Sequence, residues 1–142
     1  MKKNQVKLLE SMAMIPSPSG YEEEIAEFIK NRLLQFLPKS KVSVDFQNNV
    51  SAIIEGTSDK VVMIDAHLDQ VGFVVTNVDA KGFVSLMYVG GGDLSILSAR
   101  DLVILTSKGP VNAVVNRRHA HLVEDEGDAN VNQMIQAAVD IG

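Results

Sequence analysis

The chain has 142 residues, 46% hydrophobic and 22% charged, with a formal net charge of −5 and no cysteine. That length makes one ordinary domain or two very small ones, and the balance is that of a folded chain rather than a disordered one. The acidic charge and the lack of a Lys/Arg cluster argue against nucleic acid as a partner, and without cysteine there is no disulfide, thiolate metal site or thiol nucleophile. No run approaches the ~18 apolar residues of a membrane span. The opening Met-Lys-Lys-Asn-Gln-Val-Lys is basic, but no apolar stretch follows it, so no signal peptide is expected and a cytoplasmic location, with no membrane partner, is the default.

Asn4 is placed to cap a first short helix carrying Val6, Leu9, Met12 and Ala13 on one face. Pro16 and Pro18 end it, and Ile15–Gly20 reads as a rigid loop because each residue before a proline is held extended. Ser19 and Glu22 have the spacing of a capping box, which predicts a second helix from about Tyr21. Ile25, Phe28, Ile29, Leu33, Phe36 and Leu37 keep helical spacing up to Pro38. Glu22, Glu23 and Glu24 suit the positive end of that helix dipole, a simpler reading than a metal site. Strands are predicted at Val42–Phe46, Val50–Glu55 and Lys60–Ala66, with turns at Asn48-Asn49 and Gly56–Asp59. The third strand is apolar enough to be buried on both faces, as at the centre of an α/β sheet.

Beyond Asp69 the pattern changes. Val71–Val78 and Phe83–Val89 pair across Asp79–Gly82, and Leu102–Thr106 pairs with Val111–Val115 across Ser107–Pro110. The glycines of Gly90–Asp93 lack the spacing, the following helix and the lysine of a phosphate loop. Short strands with Gly-rich turns predict a small β-barrel or β-roll from about residue 71 to near residue 120. Glu124–Asn130 reads as a solvated loop, Val131–Ala138 as a short helix or a strand, and Val139–Gly142 as a strand returning to the first layer.

Chemistry concentrates at Val61–Val75, where an apolar run delivers Asp65, His67 and Asp69. In an extended chain these three alternate residues share a face. An imidazole with a carboxylate two residues on makes a metal ligand with the group that orients it. A polar strand end meeting water is the competing reading of so short a motif.

Taken in order, Pro18–Glu24, Asp65-Ala-His-Leu-Asp-Gln-Val-Gly-Phe73, Gly82-Phe83, Val89-Gly90-Gly91, Val111–Val115 with His121-Leu122, and Val139–Gly142 resemble the co-catalytic-metal aminopeptidases. That family includes the tetrahedral, glutamyl and deblocking enzymes, some labelled endoglucanases. The resemblance implies an α/β fold: part of a zinc-peptidase-like α/β sheet layer over residues 1–70, an inserted small β-barrel domain of oligomerisation type over 71–123, and a return segment over 124–142. It makes His67 a ligand to one of two divalent metals, zinc or cobalt, and Asp69 the catalytic-site carboxylate that accepts the other ring N–H of His67. Gln70 stands where the family has Glu, a changed neighbour rather than a lost ligand. His121 is not a ligand in the family, and His119 has no counterpart there.

The family's bridging Asp, general-base Glu and remaining ligands follow the small domain, and this chain stops at Gly142 before them. Glu124–Gly127 falls in the small-domain loop and lacks the rigid support that ligation needs. The resemblance therefore implies a fragment of an enzyme that removes N-terminal residues from peptides, inactive by itself. Its partner would be the missing catalytic half or another copy in a homo-oligomer. The alternative is a non-catalytic assembly module built on the small β domain.

Overall fold

The structure is a computed structural model that describes residues 3–116 and 134–139. The chain is mixed α/β and divides into two compact units, Met1–Gln70 and Val71–Gly142. His119, His121 and the Glu124–Gly127 segment lie outside the described residues, as do 131–133 and 140–142. Among the described residues no helix is long and apolar enough to cross a membrane.

The first unit opens with α1, Lys3–Ala13, and α2, Glu23–Leu33. Asn4 lies inside α1 instead of capping it, and the predicted apolar face is not covered: Val6 and Leu9 are exposed. Helix α2 starts later than Tyr21, with Glu22 at its N-cap and no side-chain cap bond. The capping box does not form because both of its members bond elsewhere. The Ser19 hydroxyl donates to Asp69, and the Glu22 carboxylate accepts the Gly20 N–H at 2.8 Å. Glu23 and Glu24 in the first turn and Lys30 and Arg32 in the last still match the helix dipole. Ile25 and Ala26 are the buried residues of α2. Its helical spacing carries on past Leu33 only as a turn, where the Phe36 and Leu37 N–H groups both donate to the Leu33 carbonyl.

After Pro38 and a single 3₁₀ turn, β1 (Val42–Val44) and β2 (Val50–Ala52) form an antiparallel hairpin with Ser43 opposite Ser51. Its turn is built by Asp45, whose carboxylate accepts the N–H groups of Gln47 and Asn49 and the Asn49 side-chain amide, each at 2.9 Å. Asn48 takes a left-handed φ of 64°, which asparagine tolerates better than most residues. The predicted third strand is not realised. Lys60–Ala66 forms no ladder, and Val61, Val62, Met63 and Ile64 are 84–94% exposed. A strand buried on both faces needs neighbours on both edges, and the described part of this unit supplies only a short hairpin.

The second unit is an antiparallel sheet of β3 (Gly72–Val78), β4 (Phe83–Val89), β5 (Asp101–Thr106), β6 (Gly109–Asn116) and β7 (Met134–Val139). The spatial order is β3-β4-β7-β6-β5. Strand β7 joins the two hairpins by pairing with both β4 and β6, so the last of the described strands is the central one. This settles Met134–Ala138 as strand. Val139, expected to open a return strand to the first layer, instead lies opposite Ala113 at the end of β7. Ladder pairing among the described strands leaves β3 and β5 at opposite ends of the sheet.

Both tight turns have local causes. Asp79 Oδ1 accepts the N–H groups of Lys81 and Phe83, with Gly82 at φ 85°. Thr106 donates its hydroxyl to the Gly109 carbonyl at 2.7 Å, with Gly109 at φ 118°. One face carries the core: Val84, Leu86, Ala113 and Val115 are buried, and Phe73, Leu97, Leu102 and Ile104 pack on them. Alternate residues Val103, Leu105 and Val114 face outward, the period-2 pattern of a one-sided sheet.

Candidate metal centre

The chemistry-bearing residues of the first unit meet where the Ile15–Gly20 loop holds the segment Leu68–Gln70. Pro18 and Gln70 form an isolated parallel bridge, in which the Gln70 N–H donates to the Ser17 carbonyl at 2.8 Å. Ser17 is fully buried and its hydroxyl donates to the Leu68 carbonyl at 3.3 Å. The Gln70 side-chain amide donates to the Ala13 carbonyl at 3.3 Å. Gln70, in the position where Glu was anticipated, thus serves as an anchor, and a carboxylate could not donate that bond.

Between these anchors sits Asp69. Its Oδ2 accepts the Ser19 hydroxyl at 2.6 Å, and its Oδ1 lies 3.0 Å from His67 Nδ1. The backbone carbonyl of Asp69 is also 3.0 Å from Nδ1. Two oxygens facing one ring nitrogen are satisfied only if that nitrogen carries the proton. The neutral ring is then the Nδ1–H tautomer, with the Nε2 lone pair free. The His67 side chain is 85% exposed, so Nε2 is open to solvent. The Ser19 hydroxyl, and after it the His67 ring, hold the Asp69 carboxyl below its ordinary range by bonding to its charged form. Asp65, expected on the same face, takes no part in this set.

His67 and Asp69 are therefore brought together as a ligand and its orienter would be. Among the described residues, however, no group of three or more His, Asp or Glu could hold a metal ion. Catalytic zinc takes three protein ligands, and the described residues do not bring three together. The hydrogen bonds of Ser17 and Ser19 to Leu68 and Asp69 have no signal in the sequence. The spacing of the two serines around Pro18 was visible, but it reads equally well as a loop that caps the following helix.

Two helices and small antiparallel sheets define a mixed α/β protein. The family model described as M42 glutamyl aminopeptidase matches residues 48–142, and the chain belongs to that family. It is 30% identical over 122 residues to the lysyl aminopeptidase of Pyrococcus furiosus, covering 85% of this chain and 34% of that protein. A TET aminopeptidase from a marine sediment archaeon of the Thaumarchaeota shares the fold, with a TM-score of 0.79 at 23% identity over 98% of this chain and 38% of that one. The TET1 peptidase of Pyrococcus horikoshii, which can assemble into a tetrahedron or a large octahedral shell, matches with a TM-score of 0.73 at 27% identity, over 96% of this chain and 40% of that one. The chain spans about a third of the length of the curated relatives it matches, 34% and 38% in two of them.

Proposed function

We propose that this chain supplies the first part of a metal-dependent aminopeptidase. In this reading residues 1–70 are the start of a zinc-peptidase-like α/β layer, and the sheet from residue 71 is the inserted small β domain, extended by β7 to Val139. The observation that carries it is the pairing of His67 Nδ1 with Asp69, which leaves Nε2 free and exposed to bind a divalent cation, zinc or cobalt. The chemistry that such ions would supply, with the full set of ligands present, is activation of water and polarisation of the peptide carbonyl. This chain's own contribution is narrower: it fixes the imidazole and keeps Nδ1 protonated. One imidazole binds such ions weakly, so residues 1–142 by themselves do not hydrolyse peptides, and activity requires the remaining ligands.

The test has two arms. Manganese(II) added to the purified chain should broaden the ring resonances of His67 at millimolar concentration, an effect lost in His67→Ala. With zinc or cobalt, an aminoacyl-nitroanilide should be hydrolysed no faster than by the metal alone. Broadening that spares His67, or turnover at an enzyme-like rate, would contradict the proposal.

A second reading is an assembly module built on the second unit. The shells formed by the Pyrococcus horikoshii relative support it, as do the outward-facing Val103, Leu105 and Val114. Light scattering after size exclusion separates the two, because a strict monomer at micromolar concentration is incompatible with assembly.

A further inference from the structure

The His67 ring has no wall. With its side chain 85% exposed, packing does not fix it, and its orientation rests on the two oxygens of Asp69 that face Nδ1. The carboxylate in turn is free to rotate unless something holds it, since the terminal torsion of aspartate is broad. What holds it is Ser19, whose hydroxyl occupies Oδ2 and so leaves Oδ1 for the imidazole.

We infer that Ser19 is a positioning residue for His67: acting through Asp69, its hydroxyl fixes the imidazole with Nδ1 protonated and Nε2 turned outward. The support beneath Ser19 is stiff. Pro16 and Pro18 restrict the loop's backbone, and the buried Ser17 pins it at the two residues flanking Asp69. Its hydroxyl donates to the Leu68 carbonyl, and its own carbonyl accepts the Gln70 N–H. The competing duty, capping α2, is excluded by the geometry, because the N-cap of α2 is Glu22 and the Ser19 hydroxyl is directed at Asp69. The inference rests on reading His67 as the ligand, but the orientation of the ring can be measured without any metal.

The experiment uses the full 142-residue chain with ¹⁵N-labelled histidine in alkaline buffer. His67 is assigned by its loss in His67→Gln. In the wild type its Nδ1 should resonate as a protonated nitrogen and its Nε2 as a bare one, the reverse of the tautomer that free histidine prefers. Ser19→Ala should shift both nitrogens toward the free-histidine mixture, and Ser19→Thr, which keeps the hydroxyl, should restore them.

A bare Nδ1 in the wild type overturns the inference, and that reading needs no variant to fold. So does a Ser19→Ala spectrum in which the two His67 nitrogens keep their wild-type shifts. Manganese broadening in the same samples reports the ligand role separately. Its absence would sink the metal reading while leaving Ser19 in place, and an unmoved tautomer would do the opposite.

Discussion

Ser19 and Asp69 stand 50 residues apart in the chain and 2.6 Å apart at their side-chain oxygens. Contacts of that span form only after a long loop is closed, and the closure entropy must be offset by the anchors around them. Here those anchors are Ser17 with Leu68 and Gln70, and Gln70 with Ala13. The arm that carries His67 is thus an achievement of tertiary structure, even though every residue of its motif is contiguous in sequence.

The core of the second unit should respond strongly to truncation at Leu86, which is 2% exposed among Val84, Ala113 and Val115. Leu86→Ala is expected to cost about 2–5 kcal/mol. Leu105→Ala, on the outward face of β5, should cost well under half as much. Urea denaturation of both variants measures the contrast, and equal losses would mean that the outward face is covered.

Two neighbouring glycines should behave differently. Gly90 has φ 113°, and a Cβ there would lie 2.9 Å from Val71 Cγ1; a Cβ at Gly91 meets nothing within 4 Å. Gly90→Ala is expected to destabilise by about 1–3 kcal/mol, and Gly91→Ala to stay within about 0.5 kcal/mol of the wild type. Thermal unfolding of the pair tests this.

The Asp45 turn carries a pH signature. Hydrogen bonds from the Asn49 side chain and then the Asn49 N–H favour the charged carboxylate and lower its folded pKa below the ordinary 3.8. A depressed carboxyl stabilises the fold above its unfolded value, and that contribution is lost as pH falls through the lower folded value. Asp45→Ala should therefore lower Tm at neutral pH, and the gap to the wild type should shrink once the pH drops below about 3.8. A gap that is unchanged down to strongly acid pH would show that the carboxylate's charge does not hold the turn.

Val61–Ile64, 84–94% exposed and without strand partners, is expected to drive association of the isolated chain, because an apolar unpaired strand is a template for another. Light scattering should give a mass above the 15.4 kDa of one chain, and Ile64→Lys should move it toward that value. An effect of the same size from a lysine at Lys60-adjacent Asp59 would point to bulk charge as the cause.

What was legible in the sequence was local. Strand β4 and the Asp79–Gly82 turn fall where the turn residues put them, since Asp79 and Gly82 act within a few residues of themselves, whereas β6 begins at Gly109, inside the expected Ser107–Pro110 turn. His67 and Asp69 were legible as a pair for the same reason. The duties of Ser19 and Glu22 were not, because a hydroxyl and a carboxylate at capping spacing bond equally well to other partners. Nor was the fate of Lys60–Ala66, whose composition reports that it can be buried but not which strands are present to bury it. Strand β7 was ambiguous for a related reason: its place between β4 and β6 is decided by residues far away in sequence.

The exposed stretch from Gly56 to Ala66, which has no ladder partner, has one more consequence. Proteases bind their substrates as exposed, extended strands, the same backbone conformation that adds to a sheet edge. This stretch is exposed throughout and has no ladder to open first. Brief digestion should therefore cut between Gly56 and Ala66 before any site within β4 or β6. It would part His67 from Ser17 and Ser19, which stay with the hairpin of β1 and β2 on the other fragment, and a polypeptide that pairs with Val61–Ile64 would be read directly as protection of those bonds.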